Sequence, residues 1–428
     1  MSLSTIFAAM ALSATAVATD TVNLPTATVT APAKTKVELL PLDVTMINSE
    51  TIERSAETSL LPIMVSNVPG LFVTERGFMG YGVSGGSAGA VNIRGVGQGN
   101  KVLFLIDGQP QWAGVFGHSL PDTYVTNGVE RVEVVKGPSS LLYGSNAMGG
   151  SVNIITRRQT RDGVFGSARA MFGSFSTQKF AVSTGVKKGK FSATVAGQVD
   201  RSNGNREGSE FWLANEFMQV QYDASDNWQT GVNVDMSQTH ANNPGTTQSP
   251  LLSMWTRLQR GTASIYAKNR YDRFNGYAPG ATPRDYLFNS TDYNMGFTLY
   301  QTVNPWRDAD ISAGIDFVHW GGHNWNTDKI DPSKRSAEFK AHENEIAGYV
   351  MVQQGLWRDL LSINAGVRLQ HSSQYGNEWV LQAGLVASPF KGSTMKFSFG
   401  KGFRAPNLRE LYLYAPANPD LKPEYMYN

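Results

Sequence analysis

Methionine and histidine are the two residue types in this chain that readily ligate a soft or borderline metal. Met79 and His118 stand in a Gly-rich and an aromatic-rich stretch, from which they could reach a metal ion or haem. The competing account is that Met79 packs and His118 makes a local hydrogen bond. The remaining histidines, His240, His319, His323, His342 and His371, are scattered, and only His319 and His323 form a pair worth testing. No Ser-His-Asp, HExxH or phosphate-loop pattern is present, and there is no cysteine for a disulfide, a thiolate zinc site or an iron–sulfur cluster. Pairs of carboxylates arise by chance in a chain this long. Catalysis is therefore not expected, and no resident cofactor is implied.

Composition narrows what positions these residues. Charged residues make up 17% of the 428, below the ~25% of a typical soluble protein. The balance of 37 Lys+Arg against 35 Asp+Glu leaves +2, which offers no broad field for nucleic acid. Aromatics at 11% argue against disorder, and 43 glycines suit an all-β protein with many turns. At ~150 residues per domain the length allows about three domains.

The chain divides into four regions. Residues 1–18 read as an export signal, apolar or small from Ile6 to Val17 and ending in Ala16-Val17-Ala18. No basic residue precedes Ile6, which leaves open a start further upstream. Residues 19–38 are Thr/Ala/Pro-rich and read as an extended, mobile segment. Residues 39–157 read as a compact α+β domain. Within it Ser59–Val65 is a short helix closed by Val68-Pro69-Gly70, and Val102–Ile106, Val129–Val135 and Ser151–Thr156 are strands. Ser139 is placed to cap a short helix through Leu142. Glycines at 77, 80, 82, 85, 86 and 89 mark a long flexible loop.

Residues 158–428 form the fourth region, and from about 164 the pattern is period two. Phe191, Ala193, Val195 and Val199 share one parity, and so do Ile363, Ala365, Val367 and Leu369; Thr230–Met236, Ile311–Phe317 and Met395–Phe399 alternate likewise. Such strands put one face in an apolar medium and the other in a polar one. At ~10 residues they match the tilted span of a bilayer rather than the ~5–6 of a sandwich. Tight connections (187–190, 223–227, 304–307, 356–359, 388–393) alternate with long polar ones (200–213, 239–250, 272–290, 320–343, 371–377). This points to a transmembrane antiparallel β-barrel with short turns at one end and long loops at the other. Trp228, Trp306, Trp320, Trp357 and Trp379 lie where an interfacial girdle would sit. About 13 strands are expected between 164 and 402.

Several segments resemble TonB-dependent outer-membrane receptors. Thr26-Ala27-Thr28-Val29-Thr30-Ala31 resembles a TonB box. Val91-Asn92-Ile93-Arg94-Gly95, Leu105-Ile106-Asp107-Gly108, Glu130–Gly144, Ala147–Gly150 and Val152–Thr156 resemble the plug-domain core. Gly402-Phe403-Arg404-Ala405-Pro406, Leu408–Tyr412 and Asn418–Glu424 resemble a late barrel motif. The resemblance implies an α+β plug inside a barrel of about 22 strands. It implies a location in the outer membrane of a Gram-negative bacterium, contact with its lipid, and import of a metal chelate such as a siderophore, cobalamin or haem. Force would come from TonB with ExbB and ExbD, TonB pairing with the box as an added strand. Nucleic acid is not an expected partner. The alternatives are a receptor for a bare ion such as copper, and a passive porin or adhesin-type barrel.

If the inner domain sits as in that family, its apical loops put Met79, Tyr81, Gln109, Gln111, Trp112, Phe116 and His118 at the ligand. Arg94, Glu130, Arg131, Glu133 and Lys136 would either lock plug to wall or simply stabilise the plug's own fold. Haem receptors of this kind commonly carry a histidine between the two late motifs, and residues 407–417 hold none, which lowers the haem reading. Thirteen strands of 22, with an end at Tyr425-Met426-Tyr427-Asn428, lead to the expectation of a C-terminally truncated barrel.

Overall fold

The computed structural model describes residues 28–30, 34–36, 41–73 and 91–428, apart from 98–99, 113, 118, 120–123, 206–208, 226–227, 242–250, 261–262, 275–285, 329, 358–359, 391–392 and 414–415. The glycine-rich loop at 77–89 lies outside these residues. Two short strands open the described chain, β1 (Thr28–Thr30) and β2 (Lys34–Lys36), and they pair antiparallel.

An inner domain follows. β3 (Asp43–Asn48) leads into α1 (Ser49–Arg54), where the Asn48 side chain accepts the Thr51 N–H at 2.9 Å. α2 (Leu60–Asn67) begins behind Ser59, whose hydroxyl accepts the Leu61 N–H, and ends at Val68-Pro69-Gly70 with Gly70 at φ +83°. Then come β4 (Leu71–Val73), β5 (Val91–Ile93), β6 (Val102–Ile106), β7 (Gln109–Pro110), β8 (Val129–Lys136), α3 (Ser140–Tyr143) and β9 (Gly150–Thr156). The sheet order is β3-β8-β9-β6-β7, with only β6 and β9 parallel. β6 needs five apolar residues in a row because both its faces are buried. Val102, Phe104 and Ile106 join the domain's own core with Leu60, Met64 and Val132, whereas Leu103 and Leu105 face outward into a second cluster. Ser139 does not cap α3 through its side chain; its backbone N–H instead donates to the Ala147 carbonyl at 2.9 Å.

Around this domain runs a single fourteen-stranded sheet in which every strand is antiparallel to the next in sequence. Its members are β10 (Gly163–Gly173), β11 (Thr177–Lys188), β12 (Phe191–Ser202), β13 (Phe211–Ser225), β14 (Trp228–Ala241), β15 (Leu251–Arg260) and β16 (Ala263–Phe274). They continue as β17 (Tyr286–Val303), β18 (Ala309–Asp328), β19 (Arg335–Leu356), β20 (Leu361–Ser372), β21 (Gly376–Ala387), β22 (Met395–Arg404) and β23 (Glu424–Tyr427). All but β23 fall where the alternation predicts about thirteen. Connections at one end are 189–190, 226–227, 261–262, 304–308, 357–360 and 388–394. At the other end they reach 275–285 and 405–423.

Two expected loops are mostly strand. β18 and β19 are 20 and 22 residues long, so the stretch at 320–343 is a ladder closed by a turn at 329–334, and 371–377 shrinks to 373–375. Polarity misled the sequence reading here: apolar alternation fades along this stretch, while backbone pairing continues. The Asp328 carboxylate closes the turn by accepting the Ile330 and Asp331 N–H groups, each at 2.8 Å.

The wall is apolar outside and polar inside. On β12, Ser192, Thr194, Gln198, Asp200 and Ser202 are buried against the inner domain, while Phe191, Val195 and Val199 are exposed. On β20, Ser362, Arg368 and Gln370 are buried and Ile363 and Leu369 exposed. This inverts a water-soluble fold and suits strands bathed in lipid. Trp306, Trp357 and Trp379 are exposed near strand ends, as a girdle requires. Trp320 is not part of it: it lies within β18 and turns inward, 7% exposed.

Val195→Arg, on the outward face in the middle of β12, is expected to destabilise the wall by about 2–4 kcal/mol. Arg201→Ala, on the same face at the strand end, should be near neutral; urea titration of protein folded in lipid vesicles measures both.

Candidate functional site

The site is the interface between inner domain and wall, and two segments already distinctive in sequence meet there. Residues 402–411 leave β22 and return across the lumen. Phe403 donates its N–H to the Ser140 hydroxyl at 3.1 Å, its carbonyl accepts the Asn146 N–H at 3.1 Å, and Ala405 donates to the Ser145 hydroxyl at 2.9 Å. Phe403 is fully buried with Leu141 and Val380. Further on, Asn407 and Glu410 form a reciprocal cap, the Asn407 side chain accepting the Glu410 N–H at 2.9 Å and the Glu410 carboxylate accepting the Asn407 N–H at 3.0 Å. The same carboxylate takes the buried Arg404 guanidinium at 3.0 and 2.5 Å. The turn that follows, Arg409–Leu413, carries Leu411, which with Leu408 packs on Leu103, Leu105, Trp112 and Ala147 of the inner domain.

Close approach is made possible by glycines. Gly144 has φ +75°, and a Cβ there would lie 2.5 Å from Gln370 Oε1 and 2.9 Å from an Arg368 guanidinium nitrogen. Gly402 lies against Met148 in the same way, and Gly366 against Leu141. Beneath Gly144 the lumen face of the wall is a hydrogen-bonded network. Arg368 donates to Asp316 at 2.6 Å and lies over the Tyr349 ring. Gln370 donates to Glu345 at 2.6 Å, and Tyr375 donates to the same carboxylate at 2.8 Å. Burial first, and Glu345 second, hold the Tyr375 hydroxyl well above the usual tyrosine range, so it remains a donor at any physiological pH. The sequence reading missed this network, although Asn364, Gly366, Arg368 and Gln370 share the polar parity of one strand.

The expected ligand-site residues divide. Met79, Tyr81 and His118 lie outside the described residues. Gln109, Gln111 and Trp112 are each buried, and Trp112 meets Trp320 of the wall edge to face at 6.0 Å. Phe116 is partly buried between the two apolar clusters, and its carbonyl accepts from Asn100 at 3.3 Å. The loop carrying these residues docks tightly, since a Cβ on Gly114 would lie 2.3 Å from the Gly321 carbonyl oxygen of β18. Of the TonB-box-like residues, Thr28, Val29 and Thr30 form β1, and Thr26, Ala27 and Ala31 lie outside the described residues.

The charged set forms pairs inside the inner domain and its exit. Arg94 and Lys136 share Asp43, Arg131 pairs with Glu133 at 2.8 Å, and Glu130 lies 3.7 Å from Arg157. The Asp43 pairs link β3 to β8 and to the turn after β5, while Arg131 and Glu133 pair along β8 itself. Contacts to the wall include Asn127 with the Gly197 carbonyl at 2.8 Å, Gln219 with Thr156 at 3.2 Å, and Lys101 with Glu424 at 2.7 Å.

The histidine pair points away from the lumen. Trp320 faces inward, so its neighbour His319 and, by the same parity, His323 face outward. His319 stacks on Tyr293 and bonds Asn344 at 2.8 Å, and His323 bonds Glu338 at 2.6 Å. Among the described residues no group of three His, Cys, Asp or Glu comes together to hold a metal ion.

Residues 36–151 match the model of the TonB-dependent Receptor Plug Domain, and residues 139–428 match that of the TonB dependent receptor-like beta-barrel. The vitamin B12 transporter BtuB of Vibrio vulnificus is 27% identical over 401 residues, covering 89% of this chain and 62% of its own. That of Vibrio cholerae is 24% identical over 412 residues, covering 89% of this chain and 63% of its own. The chain thus spans a little under two thirds of the length of these relatives. Among solved structures, the copper transporter OprC superposes with a TM-score of 0.73 at 15% identity, over 90% of this chain and 68% of its own. The ferric enterobactin receptor PfeA of Pseudomonas aeruginosa superposes with a TM-score of 0.67 at 19% identity, over 89% of this chain and 67% of its own. At such identities the likeness is one of fold.

Glu410→Ala leaves the buried Arg404 with Glu424 at 3.6 Å in place of its close carboxylate and is expected to cost about 3 kcal/mol. Gly144→Ala, strained at its positive φ and crowded by Gln370, should cost about 1–3 kcal/mol. Thermal melting, with proteolysis of the inner domain as a second readout, measures each loss.

Proposed function

We propose, from the premise that the chain belongs to the family of TonB-dependent receptors, that it imports a scarce metal chelate across the outer membrane. Barrels of this family are outer-membrane proteins of Gram-negative bacteria. The observation that carries the reading is the filled wall. Strands apolar outside and polar inside enclose a folded domain that makes hydrogen bonds, ion pairs and apolar contacts with them. A wide barrel without such a filling would leak, and one with it passes a large solute only if the inner domain is rearranged.

The periplasm has no ATP, so energy must arrive as force on a tether. In this reading residues 26–31, which include β1, pair with TonB as an added strand, with ExbB and ExbD coupling TonB to the proton gradient. The ligand is a siderophore, cobalamin or haem; the relatives named as vitamin B12 transporters support the chelate class. Met79, Tyr81 and His118 are the candidates for direct contact. Buried Gln109, Gln111, Trp112 and Phe116 hold the segment that His118 follows in sequence.

A second reading, uptake of a bare ion such as copper, draws on Met79 and His118 and on the likeness in fold to OprC. The outward orientation of His319 and His323 removes that pair from the transport path and favours the chelate.

Deleting residues 20–33 is expected to abolish uptake of labelled cyanocobalamin, ferric siderophore or haem, whichever the receptor takes, while leaving binding intact. Uptake that survives the deletion sinks the energised reading. For the second reading, a Met79→Ala, His118→Ala double variant should bind copper as the parent does; a large loss in a copper titration would favour the bare ion.

A further inference from the structure

On the outward face of β17–β19 polar side chains gather at one level. Below that level the outward positions of β18 are Ile311, Ala313, Ile315 and Phe317, and those of β19 are Val352, Val350, Gly348 and Ile346. Above them stand His319 on β18, and Asn344, His342 and Lys340 on β19. At ~3.3 Å per residue and a tilt of ~40°, β18 climbs about 20 Å from Ile311 to His319. The exposed Trp306 and Trp357 mark the opposite end of that climb. The histidines therefore sit at the upper edge of the apolar band, toward the end with the long connections, which in outer-membrane barrels faces outside.

A glycine shapes this place. In register across the three strands, Tyr293 pairs with Gly321 and Gly321 with His342. A Cβ on Gly321 would meet the Tyr293 hydroxyl at 2.7 Å and the His342 Cα at 2.9 Å. With no side chain there, the Tyr293 ring lies across β18, stacked on His319 at 5.3 Å, and its hydroxyl comes beside His342. The His319 and His342 rings are 5.5 Å apart. Asn344 Oδ1 takes His319 Nδ1 at 2.8 Å, which fixes that ring and leaves its Nε2 for another partner. Lys340 and His342 are exposed. No described carboxylate on this face answers Lys340: Glu343 and Glu345 are buried on the lumen side, and Glu338 is taken by His323 at 2.6 Å.

Two imidazoles and an ammonium this close repel one another when charged, unless an anion lies among them. The apolar face directly below suits hydrocarbon chains. An occupant that satisfies both is an amphiphile with an anionic head. We propose that this cluster holds the phosphate of an outer-leaflet lipid, with the lipid's acyl chains lying along Phe317 and Ile346 beneath it. Lys340 supplies a permanent positive charge; His319 through Nε2, and His342, donate to phosphate oxygens as imidazolium rings; the Tyr293 hydroxyl donates one more hydrogen bond. The proposal needs these strands to stand in the outer membrane, and it is independent of which solute the receptor imports.

Native mass spectrometry of the full chain in detergent, mixed with bisphosphorylated lipid A, reads the binding directly. The chain is expected to retain this lipid, and to retain the same lipid stripped of its phosphates at least ~10-fold less, as the loss of a charge-assisted contact implies. A His319→Gln, His342→Gln, Lys340→Gln triple variant should lose ~10-fold or more of the retention. Arg201→Gln, which removes a cation from the outward face of β12, should change nothing. Equal retention by the triple variant, or equal retention of the phosphate-free lipid, overturns the proposal and leaves acyl contact alone. Excess inorganic phosphate should not release the lipid; release makes free phosphate the occupant and overturns the lipid. Lys340→Glu by itself covers a triple variant that does not fold: parental retention overturns the proposal there as well, whereas Lys340→Arg should keep the lipid bound.

Discussion

The wall carries its hydrocarbon side chains outside and its hydroxyls, amides and charges inside, and the inner domain has to fit that polar surface. In lipid the backbone can be satisfied only by strand pairing, so every wall residue is committed to the ladder and only side chains remain to meet the lumen. The usual driving force for packing two layers together is therefore weak at this interface. Specific hydrogen bonds and a few apolar patches hold the domain.

Where the two parts do bind firmly, the fit comes from side chains that are missing. Gly144 and Gly402 let the inner domain lie directly on the wall, and the strap uses main-chain groups of Phe403 and Ala405 against hydroxyls of Ser140 and Ser145. Arg404 is buried in this strap, and its charge is met by Glu410, whose carboxylate also closes the cap with Asn407. One carboxylate thus fixes the direction in which the chain leaves β22 and holds the arginine that would otherwise be costly there.

Charges that look alike in sequence end up in different roles. Arg94 and Lys136 meet Asp43 within the inner domain, and Arg131 and Glu133 pair two residues apart on one strand. Arg368 and Asp316 come from strands of the wall that are not adjacent in sequence and meet across the lumen face beneath Gly144. The histidines show the same dependence on side. A shift of one position along β18 separates Trp320, packed on Trp112, from His319, facing the membrane side.

The sequence determined thirteen of the fourteen wall strands, the inside-out alternation, the helix behind Ser59 and the two segments that meet at the strap, because each is written in local periodicity or turn chemistry. It mistook the ladder at 320–343 for a loop, since hydrophobic alternation fades there while backbone pairing continues. Only the tertiary structure decided which parity faces the lumen at Trp320 and His319, which charges pair within the inner domain, and where polar atoms are buried without partners. Those outcomes depend on register and on contact between residues such as Ser140 and Phe403, 263 positions apart, and no local pattern encodes such a distance.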